Sequence, residues 1–202
     1  MKKIFSTLLA ASLMLLSTQA FAQMSVNAGY LNSTLSHENA KSSNANGAYA
    51  GVSFNVPIAG ALAIAPGVYY SMINGKILDW GRIASGTLTE HAVNVPVYVN
   101  YGIDLARDTN VFIFGGPTMQ YALASTVKGS SEILGKSGST SMYELDKNYN
   151  RFNVYLGGGI GFQVSAIQIT VGYDYGMMNQ YKGDNAEKSH RSNLKLGLGF
   201  VF

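Results

Sequence analysis

The sequence predicts an all-β fold, an eight-stranded antiparallel up-and-down transmembrane β-barrel, on three observations. An export signal occupies residues 1–22, the rest of the chain breaks into segments of alternating hydrophobicity, and the links between those segments alternate between long and short.

Met1-Lys2-Lys3 is followed by an apolar run from Ile4 to Leu16, then Ser17-Thr18-Gln19 and the small-residue pattern Ala20-Phe21-Ala22. A charged start, a short apolar middle and an A-x-A ending are what a secretory signal peptide needs, and the run is too short for a permanent span. An ordinary amphipathic helix is disfavoured because the run lacks a polar face. Cleavage is expected after Ala22, leaving 23–202 as one barrel domain. With Lys2 and Lys3 removed, the 14 basic residues fall to 12 against 11 acidic, so the charge gives no argument for nucleic acid. Cysteine is absent, which excludes disulfides and thiolate metal sites.

Period-two reading places strands at Met24–Leu35, Gly47–Val56, Ala61–Ile73, Leu88–Tyr101, Val111–Leu123, Arg151–Val164, Ile167–Met178 and Asn193–Phe202. Each has roughly ten or more residues, enough to cross a bilayer at a tilt of about 45°. The second (Ala48, Ala50, Val52, Phe54, Val56) and the last (Leu194, Leu196, Leu198, Phe200, Phe202) show the alternation most clearly. Long polar links at Ser36–Asn46, Asn74–Thr87, Ala124–Asn150 and Asn179–Ser192 take turns with short ones at Pro57–Gly60, Gly102–Asn110 and Ser165–Ala166. Outer-membrane barrels have short periplasmic turns and long outward loops. Gly129–Ser141 is rich in Gly and Ser and reads as a loop tip.

Alternation alone does not say which face is outside. Gly51, Gly67, Gly157, Gly159, Gly161, Gly172, Gly197 and Gly199 all fall on the polar face, which points to crowding that a side chain would worsen. The interior of an eight-stranded barrel is that crowded place, and roughly forty larger apolar side chains would not fit inside it. Lipid is therefore expected on the apolar face. Phe54, Tyr101, Phe112, Phe162, Phe200 and Phe202 lie near the short-turn ends and Tyr70, Tyr121, Phe152 and Tyr175 near the long-loop ends, as two interfacial belts require. Pro66, Pro96 and Pro117 conflict with a closed ladder, so bulges are predicted there. In the fifth strand, a bulge at Gly115-Gly116-Pro117 would turn Phe112 and Phe114 to the same lipid face as Met119, Tyr121 and Leu123.

The ending Leu196-Gly197-Leu198-Gly199-Phe200-Val201-Phe202, with Leu196, Leu198, Phe200 and Phe202 alternating to a terminal Phe, resembles the signal read by the outer-membrane assembly machinery. Val93-Asn94-Val95-Pro96-Val97-Tyr98-Val99-Asn100-Tyr101, and Gly116-Pro117 followed by Tyr121, resemble the small PorT-like β-barrel family common in Bacteroidetes. More distantly the chain is similar to OmpX and to the OmpA transmembrane barrel. The resemblance implies an outer-membrane location, with outer-membrane lipid and the assembly machinery as partners, and supplies no catalytic motif.

Four charges fall on the predicted inward face: Glu90, Arg151, Asp174 and Lys195. Counting along neighbouring strands puts Asp174 and Lys195 at similar heights, so an ion pair is expected within a polar interior network. An ion path is less favoured, because eight strands leave an interior just wide enough for side chains. Histidines occur at His37, His91 and His190. A lipid A-modifying enzyme would need a His, a nucleophile and an orienting acid. His91 shares a face with Thr89, but Glu90 points to the other face and cannot orient it. No cofactor site, metal site or catalytic set is predicted: H-x-H, H-x-x-x-H and calcium-loop patterns are missing, and no Gly-rich run opens a helix. The expectation is a non-enzymatic barrel whose outward loops, Ala124–Asn150 above all, meet an extracellular ligand or support envelope integrity. An outer-leaflet lipid enzyme and a narrow channel for small solutes are the alternatives.

Overall fold

A computed structural model describes residues 23–37, 43–77, 86–129, 138–141, 150–179 and 189–202. The predicted signal peptide and most of the Gly/Ser patch lie outside the described residues. The elements are β1 (Gln23–His37), β2 (Ser43–Ala59), β3 (Leu62–Ile77), β4 (Gly86–Ala106), β5 (Thr109–Gly129), β6 (Gly138–Ser141), β7 (Phe152–Val164), β8 (Ile167–Gly176) and β9 (Ser189–Val201). All but β6 form a closed antiparallel barrel, with β9 paired back onto β1. In lipid every backbone polar group must be satisfied internally, and closure removes the free edges. The seam is reinforced at the terminus, where the Phe202 N–H donates to the Met24 carbonyl at 2.8 Å.

The side-chain alternation is the predicted one. Val26, Tyr30, Val68, Ile160, Leu196 and Leu198 project outward, while Ser25, Asn27, Ser71, Asn153 and Asn193 are buried inside. Tyr101, Phe162, Phe200 and Phe202 ring the short-turn end and Tyr70, Tyr121, Phe152 and Tyr175 the other. The strands outrun their predicted limits because the same alternation continues with polar residues. The predicted link Gly102–Asn110 shrinks to Arg107-Asp108: Ile103 and Leu105 are still exposed apolar positions, and the Asn110 side chain donates to Asp104 at 2.8 Å. The other short turns use Gly60 (φ 55) and Ser165 (φ 53) in the left-handed region.

Two expectations about bulges are corrected. β5 runs against β7 in one unbroken register from Thr109↔Val164 to Tyr121↔Phe152. No bulge therefore resets the parity at Gly115-Gly116-Pro117, and Phe112 and Phe114 point into the barrel, not to lipid. The physical reason lies on the facing strand. Phe112 sits opposite Gly161 and Phe114 opposite Gly159, and a Cβ at Gly159 would come within 2.6 Å of the Phe114 ring. The rings fill the volume that the glycines vacate, which a narrow barrel rewards. Pro66, Pro96 and Pro117 also sit without a register shift. Pairing passes from Pro66↔Val97 to Tyr69↔Asn94, and from Pro96↔Thr118 to Val99↔Gly115, with bridges omitted but register kept. The missing proline donors fall in this locally open stretch of β3, β4 and β5. Register shifts occur instead at Pro57/Ala59, His91/Ala92 and Asp104/Ala106.

Candidate functional site

The interior is built from the inward-facing half of every strand, and it divides in two. The half nearer the long loops is filled. Tyr155, Glu90, Arg191, Ser125, Ala92 and Ala122 are all buried there. β4 and β9 are four strands apart in either direction around the barrel, so they face each other across it. Arg191 on β9 reaches Glu90 on β4, with Nη1 2.5 Å from Oε1 and Nη2 donating to Oε2 at 3.3 Å. Both side chains are 5% exposed or less, and the pair spans the lumen as a crossbar. Below it a hydrogen-bond chain crosses four strands. Tyr155 Oη donates to Gln120 (2.9 Å), Gln120 Nε2 to Asn94 (2.8 Å), and Asn94 Nδ2 to Ser71 (2.8 Å).

A second charged group lies at mid-height. Lys195 Nζ is 2.6 Å from Asp174 Oδ2 and donates to Tyr98 Oη at 2.8 Å. Tyr98 Oη lies 3.1 Å from Thr118 Oγ1. Tyr98 belongs to β4 and Lys195 to β9, so this bond also crosses the lumen.

Of the four charges expected to share one network, the structure brings Asp174 and Lys195 together and gives Glu90 a different partner. Arg151 is a correction. It lies exposed at a bend before β7, one position ahead of the strand whose parity would have turned it inward. Arg191 takes the place expected of it. Sequence reasoning puts Arg191 in a loop because its outward-facing neighbours His190 and Ser192 are polar, which hides the alternation once a strand leaves the lipid zone. The usable signal is parity alone: Arg191, Asn193, Lys195, Gly197 and Gly199 share one face.

The half nearer the short turns is not filled as expected. It holds a cavity of about 380 Å³ whose lining runs from Gln23, Pro57, Gly60 and Gly102 at the short-turn end up to Lys195 and Asn193. Part of the lining is a ribbon of amides and hydroxyls. Asn27 Nδ2 donates to Ser25 (3.0 Å) and lies 3.1 Å from Tyr69 Oη, Gln168 Nε2 donates to Asn27 (2.5 Å), and Asn100 Nδ2 donates to Asn55 (3.0 Å). Phe112 and Phe114 join this lining, with ring centroids 6.2 Å apart, laid over the glycine track of β7 and with Phe114 directly across from Asn100.

The histidines are elsewhere. His91 faces outward, with Nδ1 2.5 Å from Tyr70 Oη and its ring stacked on Tyr70. His190 belongs to β9 and not to a loop; it stacks on Tyr175, and its Nδ1 donates to the Gly176 carbonyl at 3.0 Å. Their partners are thus a phenol and a backbone carbonyl, where a catalytic imidazole would need an orienting acid. His37 is placed by its backbone at the end of β1.

Comparison with known proteins agrees with this geometry. The model of the outer membrane protein beta-barrel domain matches residues 17–182. No curated protein is matched. Among solved structures, Ail, the attachment invasion locus protein of Yersinia pestis, aligns with 15% identity over 90% of this chain and 99% of that one, at a TM-score of 0.52. The same protein in complex with the heparin analogue sucrose octasulfate aligns at 14% identity and a TM-score of 0.53, over 90% and 99% of the chains. Neisserial surface protein A (NspA) aligns at 14% identity over 89% and 97% of the chains, at 0.50. These are likenesses of fold, and none of them points to the PorT-like group or to Bacteroidetes.

Proposed function

The chain belongs to the outer membrane β-barrel family and sits in the outer membrane, and on that premise we propose that it is a non-enzymatic surface barrel. Its outward face contacts a ligand outside the cell or supports envelope integrity. The observation that carries this reading is the sheet that continues above the lipid zone. The outward aromatic belt passes through Tyr121, yet β5 runs on from Ala122 to Gly129, still paired with β4 on one side and, from Thr126, with β6 on the other. At about 3.3 Å per residue this extends the strand by about 26 Å. Strand that emerges from the bilayer paired along the whole of its β4 edge, and again with β6 at its end, is a rigid mount for the link between β5 and β7, and binding groups are commonly held on loops fixed by such scaffolds. Ail, similar in fold, is an attachment invasion locus protein and forms a complex with a heparin analogue, which supports an extracellular contact as the kind of role to test here.

The test is replacement of residues 130–149 by a short Gly-Ser link, compared in cells with the full chain. Unboiled gel mobility should report a folded barrel, while attachment to surfaces or tolerance of detergent falls. A folded, trimmed barrel with every such phenotype intact overturns the reading.

A further inference from the structure

The cavity between the short-turn end and the Lys195–Asp174 pair is lined by groups that bind, and nothing in the surface role uses it. We propose that this periplasm-facing vestibule is a binding site for a small, neutral, hydroxyl-rich solute of the saccharide class.

Four observations select that chemistry. First, the vestibule has one closed end. Its outward limit is the Tyr155–Gln120–Asn94–Ser71 chain and, beyond it, the Glu90–Arg191 crossbar, whereas its lining reaches Gln23, Gly60 and Gly102 among the turns. The route to solvent for an occupant is therefore on the periplasmic side. Secondly, the volume of about 380 Å³ falls at the lower end of the range of small-molecule sites, about 300–1,000 Å³.

Thirdly, the walls mix apolar surface with neutral polar groups, and the one cation among them is paired. Asn27, Asn55, Asn100 and Gln168 offer amides that both donate and accept, and Ser53 and Tyr69 offer hydroxyls. Lys195, deep in the vestibule, is neutralised by Asp174 at 2.6 Å, and the remaining charge of the lining, Asp104, sits exposed at the turn end, hydrogen-bonded to the neutral amide of Asn110 at 2.8 Å. An anion would lose its hydration and find the one lysine of the lining already paired, and a cation drawn past Asp104 at the mouth would meet no unpaired carboxylate deeper in. A hydroxyl, itself donor and acceptor, matches amides whatever their orientation. Asn100 makes this concrete, because its Nδ2 donates to Asn55 while its buried Oδ1 has no hydrogen-bond partner. Fourthly, Phe112 and Phe114 bring aromatic rings into the same lining as the amides, with Phe114 directly across from Asn100 on the neighbouring strand. A pyranose has the matching two-sided character, with C–H groups on its faces and hydroxyls around its edge. Purely apolar or purely ionic solutes do not.

The experiment uses the full mature chain, labelled with ¹⁵N and folded into phospholipid nanodiscs, titrated with glucose, N-acetylglucosamine and glucose 6-phosphate and followed by NMR. Saturable shifts with at least one neutral sugar should appear in the millimolar range, confined to Asn27, Asn100, Gln168 and the glycines beneath Phe112 and Phe114. Gln168→Ala and Phe114→Leu, each checked for a folded barrel by gel mobility, should weaken binding about tenfold. Glucose 6-phosphate should bind more weakly than glucose. Three results overturn the proposal: no saturable shift with either neutral sugar, which would make the vestibule a water-filled space; shifts confined to the outer surface; or sugar affinity unchanged in both folded variants.

Discussion

Glu90→Ala removes one end of the crossbar and leaves the Arg191 guanidinium in a site where its side chain is 5% exposed. Two hydrogen bonds disappear with the carboxylate, a close one at 2.5 Å and a long one at 3.3 Å. Charge-assisted bonds of this kind contribute about 1.5–3 kcal/mol each, with the long one at the bottom of that range or below it. The larger cost is the loss of the carboxylate that balances a buried guanidinium. Breaking a buried ion pair from one side typically destabilises by about 3–5 kcal/mol, whereas replacing both partners with apolar groups of similar volume is often close to neutral. Glu90→Ala and Arg191→Ala should therefore each lower the unfolding free energy by several kcal/mol, and Glu90→Met combined with Arg191→Leu should recover most of it. The assay is a urea titration of the barrel in lipid vesicles, with the folded fraction read from the mobility of unboiled samples on a gel. Two outcomes would refute the reasoning. One is a single-variant loss below about 1 kcal/mol, which is the value of a solvent-exposed pair. The other is additive losses from the two sites, since residues that share one buried interaction must couple.

Further outcomes follow from the same geometry. Gly159→Ala should cost about 1–3 kcal/mol or more, because an added Cβ meets the Val171 carbonyl as well as the Phe114 ring at 2.6 Å, and adding Phe114→Leu should restore only the part due to the ring, in the same titration. Planar-bilayer recordings of the purified chain should show no large, stable conductance, because the outward half of the lumen is filled; a large steady current would refute the seal. His91→Ala should leave the lipid A acyl pattern unchanged by mass spectrometry, since His91 is bonded to the Tyr70 hydroxyl and not to a carboxylate. Phe202→Ala should reduce the heat-modifiable fraction recovered in outer membranes. Phe202 is exposed, closes the β1–β9 seam through its backbone and packs its ring against Phe200 at 5.0 Å, so poor insertion in cells with normal folding in vitro would assign it to assembly.

The exterior is legible because lipid imposes one rule at every second position, and a two-residue period survives errors in any single strand. The interior obeys no such uniform rule. Packing there depends on which residues meet across strands, and that needs register. Asp174 and Lys195 can be brought together from sequence because both are counted from the same short-turn end, up from Ile167 and back from Phe202. The β5–β7 register crosses the long link, and chain order alone does not fix it. There the pattern misleads: two phenylalanines with the parity of polar residues look like a bulge, when alternate glycines of β7 are the places made for their rings. Arg191 is hidden for the complementary reason. Above the lipid zone the outward side chains become polar, so the contrast that reveals a strand disappears although the strand and its inward charge continue.

Both misreadings have one physical origin, and it bears on function. A barrel this narrow must match large inward side chains to small ones on other strands. In the outward half the match is close, with Tyr155 at 1% exposure and ions paired across the diameter. In the periplasmic half the same strategy leaves space, because Phe112 and Phe114 lie over glycines while the amides bond to one another along the wall. If the interior were filled for stability alone, larger side chains at Ala63 or Ala65, both of which line the cavity, would be the simple solution. The vestibule is therefore the part of the interior whose sequence is least explained by packing. Substituting Ala65→Leu tests this directly: a gain in stability with disappearance of the sugar-dependent shifts would show that the space is kept for an occupant, whereas a destabilised barrel would show that the small residue at this position serves packing.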